Sequence, residues 1–550
     1  IVKASVWSHA NWLTFRDPSK LAADDIAPDL RVDAVHPLVF KLMRELGRFG
    51  DSRASRQVLT DLAKRSGAGQ DTLGPNSIRL QIEIARARGM SGQAGKAVED
   101  LQCLLSTILD AGPAIVPLML RLDVEFLLAK LESRIGRFKE AAKRFEELSA
   151  IYARTLGSDS SEAFKSRYCH GRALGDLGYP DLAVDLLGKL AEDQKKAHVA
   201  SQHRLKTLFE CARWLGFAGD ARGAYSALAR LEDEYVHVFG PASREMLRLL
   251  RAIAYWLGKA GDPRTAAEVS QAAYSSASAL LGSRDADTII AARNAAYWKA
   301  RSGRMSEAKS ELTELLARQQ AEPEVDPIEA LITMRTIGVI EGDAGDPVGA
   351  AGRLKTVVEA MKGELGPEHP DTLEARRFYA DWVGNSGQPA RAVHEHVELT
   401  KSLLALTEAN NPRVLTVQKN HAKWLIRMGY PHAAVVLLHE VAQRTVLAHG
   451  FLHPQTFSTW ETLYEAIGEA GDPQLASGLF AQVATIMADK AVNLGKGGDG
   501  DPERLLALNA HLYWQTKCGP EDAARAVVPL GRLVAEVQEI LGTLHPYILT

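Results

Sequence analysis

Cysteine is scarce in this chain, and the four that occur stand far apart. They are Cys103, Cys169, Cys211 and Cys518. No two of them have the short spacing of a metal-binding or redox motif. Scattered cysteines are typical of proteins in a reducing compartment, so the sequence predicts a cytoplasmic protein without a metal site.

The chain also lacks long apolar runs and an excess of charge of either sign. No run approaches the roughly 20 apolar residues that span a bilayer. The 65 basic and 68 acidic residues give a net charge of −3. This balance argues against a membrane partner, and against general binding of nucleic acid through this region.

Catalytic signatures are missing as well. The sequence contains no metalloprotease, serine-hydrolase or dinucleotide-binding motif, and no strand pattern that could carry one. His394 and His396 flank Glu395 on one predicted helix, where adjacent positions point about 100° apart and cannot close on one metal unaided. The sequence therefore predicts a protein that is not an enzyme and that needs no cofactor.

What the chain has instead is a glycine that returns about every 42 residues. The successive gaps run from 41 to 48 residues, and most of them are 42. The twelve glycines are Gly50, Gly92, Gly136, Gly178, Gly219, Gly261, Gly303, Gly345, Gly387, Gly429, Gly471 and Gly519. A fixed period of this length is typical of a repeat solenoid.

Other residues keep phase with this turn glycine. An alanine stands five residues after it in every repeat but the first, and an alanine or glycine usually stands seven residues before it. Small residues at both phases let the two helices of a hairpin approach closely. Five residues before the glycine stand six of the nine tryptophans, which we expect to be core anchors. They are Trp214, Trp256, Trp298, Trp382, Trp424 and Trp514.

These features resemble the tetratricopeptide repeat (TPR), which has two helices per unit, a small residue in the first helix and a tight turn followed by alanine. The usual unit has about 34 residues. The 42-residue period, with phrases such as Leu365-Gly366-Pro367-Glu368-His369-Pro370 between repeats, resembles the longer kinesin-light-chain type. The resemblance implies an all-α, right-handed superhelical solenoid of about twelve antiparallel helix hairpins.

The resemblance covers residues 32–550, and we expect the array to be truncated in the next repeat. Residues 1–31 are predicted to be an N-terminal helix and linker, at the end of a preceding module. Histidines precede proline just before first helices, where they are expected to cap or pack: His36, His369, His453 and His545.

A cation stands ten residues before the turn glycine in five consecutive repeats. We call these residues the basic ladder: Arg251, Arg293, Arg335, Arg377 and Lys419. The position is about 140° around the helix from the tryptophan and so lies outside the core. The resemblance places this side of the first helix in the concave groove of the array.

Further polar and aromatic residues accompany the ladder. Tyr255, Tyr297 and Lys423 stand four residues after ladder positions, on the same side of the helix. Asn294 and Asn420 stand next to the ladder, at the position where related arrays use asparagine to hold a peptide backbone.

These residues predict a scaffold whose groove binds an acidic or carboxylate-bearing peptide of a protein partner, because guanidinium groups grip carboxylates bidentately. A solvated face is the alternative, since unit charges 10 Å apart repel by only about 0.4 kcal/mol in water. Arg377 has Glu374 and Asp381 three and four residues away, so local neutralisation is expected there.

A second functional hypothesis also follows from the resemblance. Bacterial arrays of this kind occur in multidomain signalling ATPases of the STAND type and in transcriptional regulators, next to a nucleotide-binding module. The array would then be a ligand-sensing or autoinhibitory arm, with an NTPase module attached in the full-length protein.

Overall fold

A computed structural model describes residues 74–90, 93–321, 327–449, 453–493 and 502–541. Within these ranges the chain forms helices and turns, without a strand. The helices are α1 Pro75–Met90, α2 Ala94–Ala111, α3 Leu118–Arg134, α4 Phe138–Leu156, α5 Ser161–Leu177, α6 Pro180–Lys196, α7 Ser201–Phe217, α8 Ala221–Ala229, α9 Glu232–Phe239, α10 Arg244–Lys259, α11 Pro263–Leu281 and α12 Ala286–Arg301. They continue as α13 Met305–Ala321, α14 Pro327–Asp343, α15 Pro347–Leu365, α16 Pro370–Asn385, α17 Pro389–Leu406, α18 Pro412–Arg427, α19 Pro431–His449, α20 Pro454–Glu469, α21 Pro473–Asn493, α22 Pro502–Cys518 and α23 Pro520–Leu541.

The described helices form eleven consecutive hairpins, and in one of them the second helix is divided into α8 and α9. The predicted all-α array of hairpins is therefore confirmed. The repeat around Gly50 and residues 1–31 lie outside the described residues. The handedness of the superhelix, the kinesin-light-chain subtype and the domain division stay predictions.

The turn at Gly261 shows why each hairpin needs its glycine. Gly261 has a φ of +101°, a conformation that side chains with a Cβ rarely adopt. Its position ends α10, and the backbone N–H of Asp262 closes the turn by donating to the carbonyl of Leu257 at 3.1 Å. The Asp262 carboxylate then caps α11 by accepting from the N–H of Thr265 at 3.0 Å, and Pro263 occupies the first turn of that helix.

The chain divides into two compact units, residues 1–173 and 174–550. In the first unit, the described core includes a large cluster built around Leu101, Val124 and Leu128. In the second unit, the core is a series of smaller clusters, each shared by neighbouring hairpins, such as that around Leu249 and Trp256. Each layer is thus buried only when its neighbours are present, as in other repeat arrays.

The tryptophans are core residues, as predicted. Trp214, Trp256, Trp298, Trp424 and Trp514 are each less than 9% exposed, whereas Trp382 is partly buried. The alanines five residues after the turn glycine are also buried in the described repeats, except Ala524 in the last hairpin, which is exposed; Ala266 and Ala308 have no exposed surface.

Each tryptophan packs onto a glycine of the preceding repeat, a pairing that the sequence analysis missed. A Cβ built on Gly258 would lie 2.1 Å from the Trp298 ring, and one on Gly384 would lie 2.4 Å from the Trp424 ring. The glycine stands three residues before the turn glycine. A large ring in one repeat thus needs an open space in the repeat before it.

Two repeats without tryptophan also match a larger residue at one of these two positions with a smaller residue at the other. Ile340 takes the tryptophan position after Ala300, and both belong to one core cluster. In the repeat that follows Trp424 the sizes are reversed, with Ala466 packed in one cluster with Ile426. The pair of positions therefore sets how closely successive repeats stack.

In the described part of the chain, no helix is both long enough and apolar enough to cross a membrane.

Candidate functional site

The basic ladder lies on the first helices α10, α12, α14, α16 and α18. The side chains of its four arginines are between 11% and 21% exposed. Most of the surface of these arginine side chains is therefore covered by neighbouring residues.

Three of the arginines pair with a carboxylate that stands 36 residues later, in the first turn of the next first helix. Arg251 Nη1 lies 3.0 Å from Asp287 Oδ1, and Arg293 Nη1 lies 2.8 Å from Glu329 Oε2. Each arginine also reaches the backbone carbonyl of the same residue, at 3.3 Å and 3.5 Å. These pairs tie one repeat to the next, which neither alternative drawn from the sequence included.

Of these three ion pairs, the one formed by Arg335 is the weakest. Arg335 Nη1 lies 3.9 Å from Asp371 Oδ1, and this buried nitrogen makes no hydrogen bond with the described residues. Burial lowers the pKa of Arg335, and the nearby Glu374 and Asp371 only partly offset this effect. This guanidinium therefore has a binding capacity that its own chain does not use.

Asp287 shows how strongly these pairs can be coupled. It accepts a hydrogen bond from Arg244 Nη1 at 2.8 Å in addition to the bond from Arg251. Burial alone would raise the pKa of Asp287, but the guanidinium groups of Arg244 and Arg251 outweigh it and hold the pKa below its usual value. The carboxylate is thus ionised and fixed between α10 and α12.

The pattern changes at Arg377, because Arg413 stands at the position 36 residues later. Arg377 instead bonds within its own helix, with Nη2 2.7 Å from Glu374 Oε1 and Nη1 3.6 Å from Asp381 Oδ2. The local neutralisation expected from the sequence spacing is confirmed.

The last rung, Lys419, has no carboxylate partner among the described residues. Its Nζ donates to Ser458 Oγ at 2.7 Å. Burial, followed by the charge of Lys423, lowers the pKa of Lys419 to about 8. Lys423 itself is exposed, also without a carboxylate partner in the described residues.

The two asparagines differ in their surroundings. Asn420 Nδ2 donates to both carboxylate oxygens of Asp381 at 3.2 Å, and His396 Nε2 lies 3.0 Å from the same carboxylate. The side-chain amide of Asn294 makes no hydrogen bond with any other described residue. Of the two, Asn294 is therefore the one whose amide remains available to a ligand.

The two tyrosines pack against the tryptophan core. Tyr255 lies edge-on to Trp256, with ring centroids 4.8 Å apart, and Tyr297 lies edge-on to Trp298 at 5.0 Å. Burial raises the pKa of Tyr255 to about 12, and the neighbouring Tyr297 adds to the effect. Both rings are only partly buried, so each keeps a surface on the ladder side.

A further column of cations was missed by the sequence analysis. Lys259, Arg301 and Arg427 stand two residues before the turn glycine, one helical turn beyond Tyr255, Tyr297 and Lys423. The signal was available, since a cation stands at this phase in six of the twelve repeats, the other three being Arg48, Arg134 and Lys517. Lys259 and Arg427 have no carboxylate partner among the described residues; Arg301 Nη1 lies 3.9 Å from Asp343 Oδ2.

The first helices of distant repeats face a common space. Burial lowers the pKa of Lys259, and the charges of Arg301 and of Arg377, which is three repeats further on, lower it more. Tyr255 is likewise within range of the charge of Glu374. The first helices α10 and α16 therefore lie near enough for their charged groups to interact.

Within the described ranges, no group of three histidine, cysteine, aspartate or glutamate side chains is placed to hold a metal ion.

Comparison with known proteins gives weak likenesses only. No protein-family model and no curated protein matches the sequence. Among solved structures, the nearly identical TPR-like repeats of a putative kinesin light chain from Podosopora anserina align at 20% identity, over 36% of this chain and 95% of that chain, with a TM-score of 0.31. A singly substituted form of the same repeats gives a TM-score of 0.32 with the same coverage and identity.

A Rap protein complexed with Competence and Sporulation Factor aligns at 13% identity, over 72% of this chain and 99% of that chain, with a TM-score of 0.37. The assignment of the fold rests on the hairpins, their period and their turn geometry. The chain has the fold of a TPR-type repeat array.

Proposed function

We propose that the second unit, residues 174–550, is a binding scaffold that holds an acidic peptide segment of a protein partner against the ladder side of its first helices. The contact set would comprise the ladder and its neighbours: Arg251, Tyr255, Arg293, Asn294, Tyr297, Arg335, Arg377, Lys419, Asn420 and Lys423. Lys259 and Arg427 extend this set.

The observation that carries the proposal is a group of cations on that side that form no ion pair within the described residues, with Glu461, Asp381 and Glu465 only near enough to offset part of their charge. Four cations have no carboxylate partner among the described residues: Lys259, Lys419, Lys423 and Arg427. The lowered pKa values of Lys259 and Lys419 reflect burial first and neighbouring cations next. A negatively charged ligand would relieve this repulsion, and so would be favoured over a neutral one.

The paired arginines and the unpaired cations would then have different tasks. Arg251 and Arg293 each use Nη1 to hold the next repeat, and this keeps the guanidinium groups in place. Their Nη2 groups make no hydrogen bond to a described residue, so a ligand carboxylate could be bound without breaking the pair. The lysines, on flexible stems, would supply charge without fixed geometry.

The test is a titration of acidic peptides, with glutamine and asparagine versions as neutral controls, at low and physiological salt. The double variant Lys259→Ala/Lys423→Ala should weaken binding about tenfold, at about 1 kcal/mol or less for each exposed cation. The matched control is Lys355→Ala, since Lys355 is an exposed lysine on the second helix α15. Equal affinities for parent, double variant and control would exclude the ladder side as the binding face.

The arginines are tested separately, because their loss would also loosen the array. Arg335 has a weaker ion pair with the next repeat than Arg251 has. For the same loss of folding stability, Arg335→Ala should therefore weaken the binding of an acidic peptide more than Arg251→Ala does. Affinity should fall as salt rises, because charges are screened over about 8–10 Å.

The alternative function, a sensing or autoinhibitory arm of a larger signalling ATPase or transcriptional regulator, would use the same binding side. A full-length reading frame with a phosphate-binding module beside the array would support it.

A further inference from the structure

In the second unit, two hairpin turns contact two loops that lie much further along the chain. A Cβ built on Gly178 would lie 2.7 Å from Pro412 Cδ, and one on Gly219 would lie 2.7 Å from His453 Cδ2. The partners are 234 residues apart in both cases. We call these two contacts, together with the hydrogen bonds beside them, the seam.

The first half of the seam is centred on Asn411, which is 2% exposed. Its Oδ1 caps α18 by accepting from the N–H of Arg413 at 2.9 Å. Its Nδ2 donates to the carbonyl of Leu177 at 2.7 Å, at the end of α5. Close by, the Tyr179 hydroxyl donates to the carboxylate of Glu408. The Asn411 side chain thus caps the start of α18 and binds the end of α5, 234 residues earlier in the chain.

The second half repeats this arrangement with a histidine. His453 Nδ1 caps α20 by accepting from the N–H of Gln455 at 3.0 Å. Since Nδ1 is the acceptor, the other nitrogen carries the proton, and His453 Nε2 donates to the carbonyl of Phe217 at 3.2 Å. The two halves are therefore in the same register, each linking the end of one first helix to the cap of another.

The seam closes a ring. Between Gly178 and Pro412 the helices pack in a continuous series from α6 against α7 to α17 against α18, in which α8 and α9, the two parts of one divided helix, each pack against α10. The seam joins the two ends of this series. Because the charges of Lys259 on α10 and of Arg377 on α16 interact although they stand three repeats apart, we infer that the ladder sides face the interior of this ring.

We propose that the interior of this ring is reached through its two openings, and that the partner is a flexible acidic segment with a free chain end that threads into it. A segment flanked on both sides by folded domains would enter only when the seam separates. This inference rests on the proposed function and specifies its partner class.

The test uses the complete chain with a covalent lock across the seam, Tyr179→Cys/Glu408→Cys joined by a short bifunctional methanethiosulfonate reagent, because the ends of these two long side chains touch and two cysteines would leave a gap for the reagent to span. Peptide mapping confirms the cross-link, and Tyr179→Cys alone treated with the same reagent is the control. Two ligands share one acidic sequence: a free peptide, and the same peptide fused at each end to a small inert folded domain.

We expect the protein with the locked seam to bind the free peptide with an affinity within about twofold of that of the parent. Its association rate with the doubly fused peptide should fall by about tenfold or more, since binding that needs a conformational change is slowed, and reduction should restore it. If the locked protein binds the doubly fused peptide as fast as the parent does, the ring is not the barrier and the inference is wrong. If the parent does not bind the free peptide, the proposed function itself fails.

A second variant tests the seam without a disulfide. Asn411→Ala/His453→Ala removes both side-chain donors, and should speed association of the doubly fused peptide by several-fold relative to the free peptide. Equal acceleration of both ligands would contradict a role of the seam in selecting the partner.

Discussion

Gly258 offers a test in which two physical effects have opposite signs. Alanine is favoured over glycine within a helix by about 0.5–1 kcal/mol, so Gly258→Ala would be expected to stabilise α10. The structure predicts the reverse. A Cβ at this position would lie 2.1 Å from Trp298 Cζ3 and 2.2 Å from Cη2, well inside van der Waals contact.

The ring cannot move aside easily. Trp298 is 4% exposed and shares a cluster with Ala266 and Ala267, so a shift would open the stacking between repeats. Forcing an extra carbon into a packed core costs about 1–3 kcal/mol. Subtracting the gain in helix propensity leaves a net destabilisation of up to about 2 kcal/mol.

The matched control is Gly352→Ala in α15, where a new Cβ would have no neighbour within 4 Å. This variant should be more stable than the parent by about 0.5–1 kcal/mol. Urea unfolding followed by circular dichroism, with all proteins under identical conditions, gives the sign of each change. If both substitutions stabilise, the contact between tryptophan and glycine does not set the stacking of repeats.

A double variant distinguishes a specific clash from general damage. Gly258→Ala/Trp298→Ile reproduces the natural pair Ala300 and Ile340. Gly258→Ala should therefore cost less in the Trp298→Ile background than in the parent, by an interaction energy of about 1 kcal/mol or more. Strict additivity of the two single changes would refute the proposed size matching.

Three further predictions concern stability and titration. Trp256→Ala should destabilise by about 3–5 kcal/mol, measured by urea unfolding, and a variant as stable as the parent would refute the core assignment. Glu341 accepts hydrogen bonds from Arg353 at 2.7 and 3.0 Å and lies 3.2 Å from Lys309 Nζ. Burial tends to raise its pKa, but these cations outweigh burial and lower it. The stability advantage of the parent over Glu341→Gln should therefore be full above about pH 5 and shrink as pH falls through the lowered pKa; an advantage independent of pH would contradict this. Since the pKa of Lys419 is about 8, about half of its amines are neutral at pH 8, against well under about 1% for an ordinary lysine. The rate at which an acylating reagent modifies Lys419, read by mass spectrometry, should level off above about pH 8, and a rate that still climbs about tenfold per pH unit up to about pH 10 would argue against the shift.

The sequence contained most of the fold, because the fold is periodic. The phase of the turn glycine predicts the hairpin boundary, and the phases of Ala266 and Trp256 predict the core. The site was harder to predict. The partner of Arg251 is Asp287, and the distance between them depends on how repeats stack rather than on spacing within one helix. Local spacing sufficed only for Arg377, whose partner Glu374 is on the same helix.

The seam has a consequence for how this protein can evolve. Open solenoids can gain or lose a repeat by unequal recombination, since each unit contacts only its neighbours. Here Asn411 and His453 meet helix ends 234 and 236 residues earlier, distances that are not whole numbers of 42-residue repeats. Duplication or loss of one repeat between Gly219 and Asn411 would move both caps away from their carbonyls. The number of repeats in this part of the chain is therefore fixed by the closure, and we expect length variation among its descendants to fall outside it.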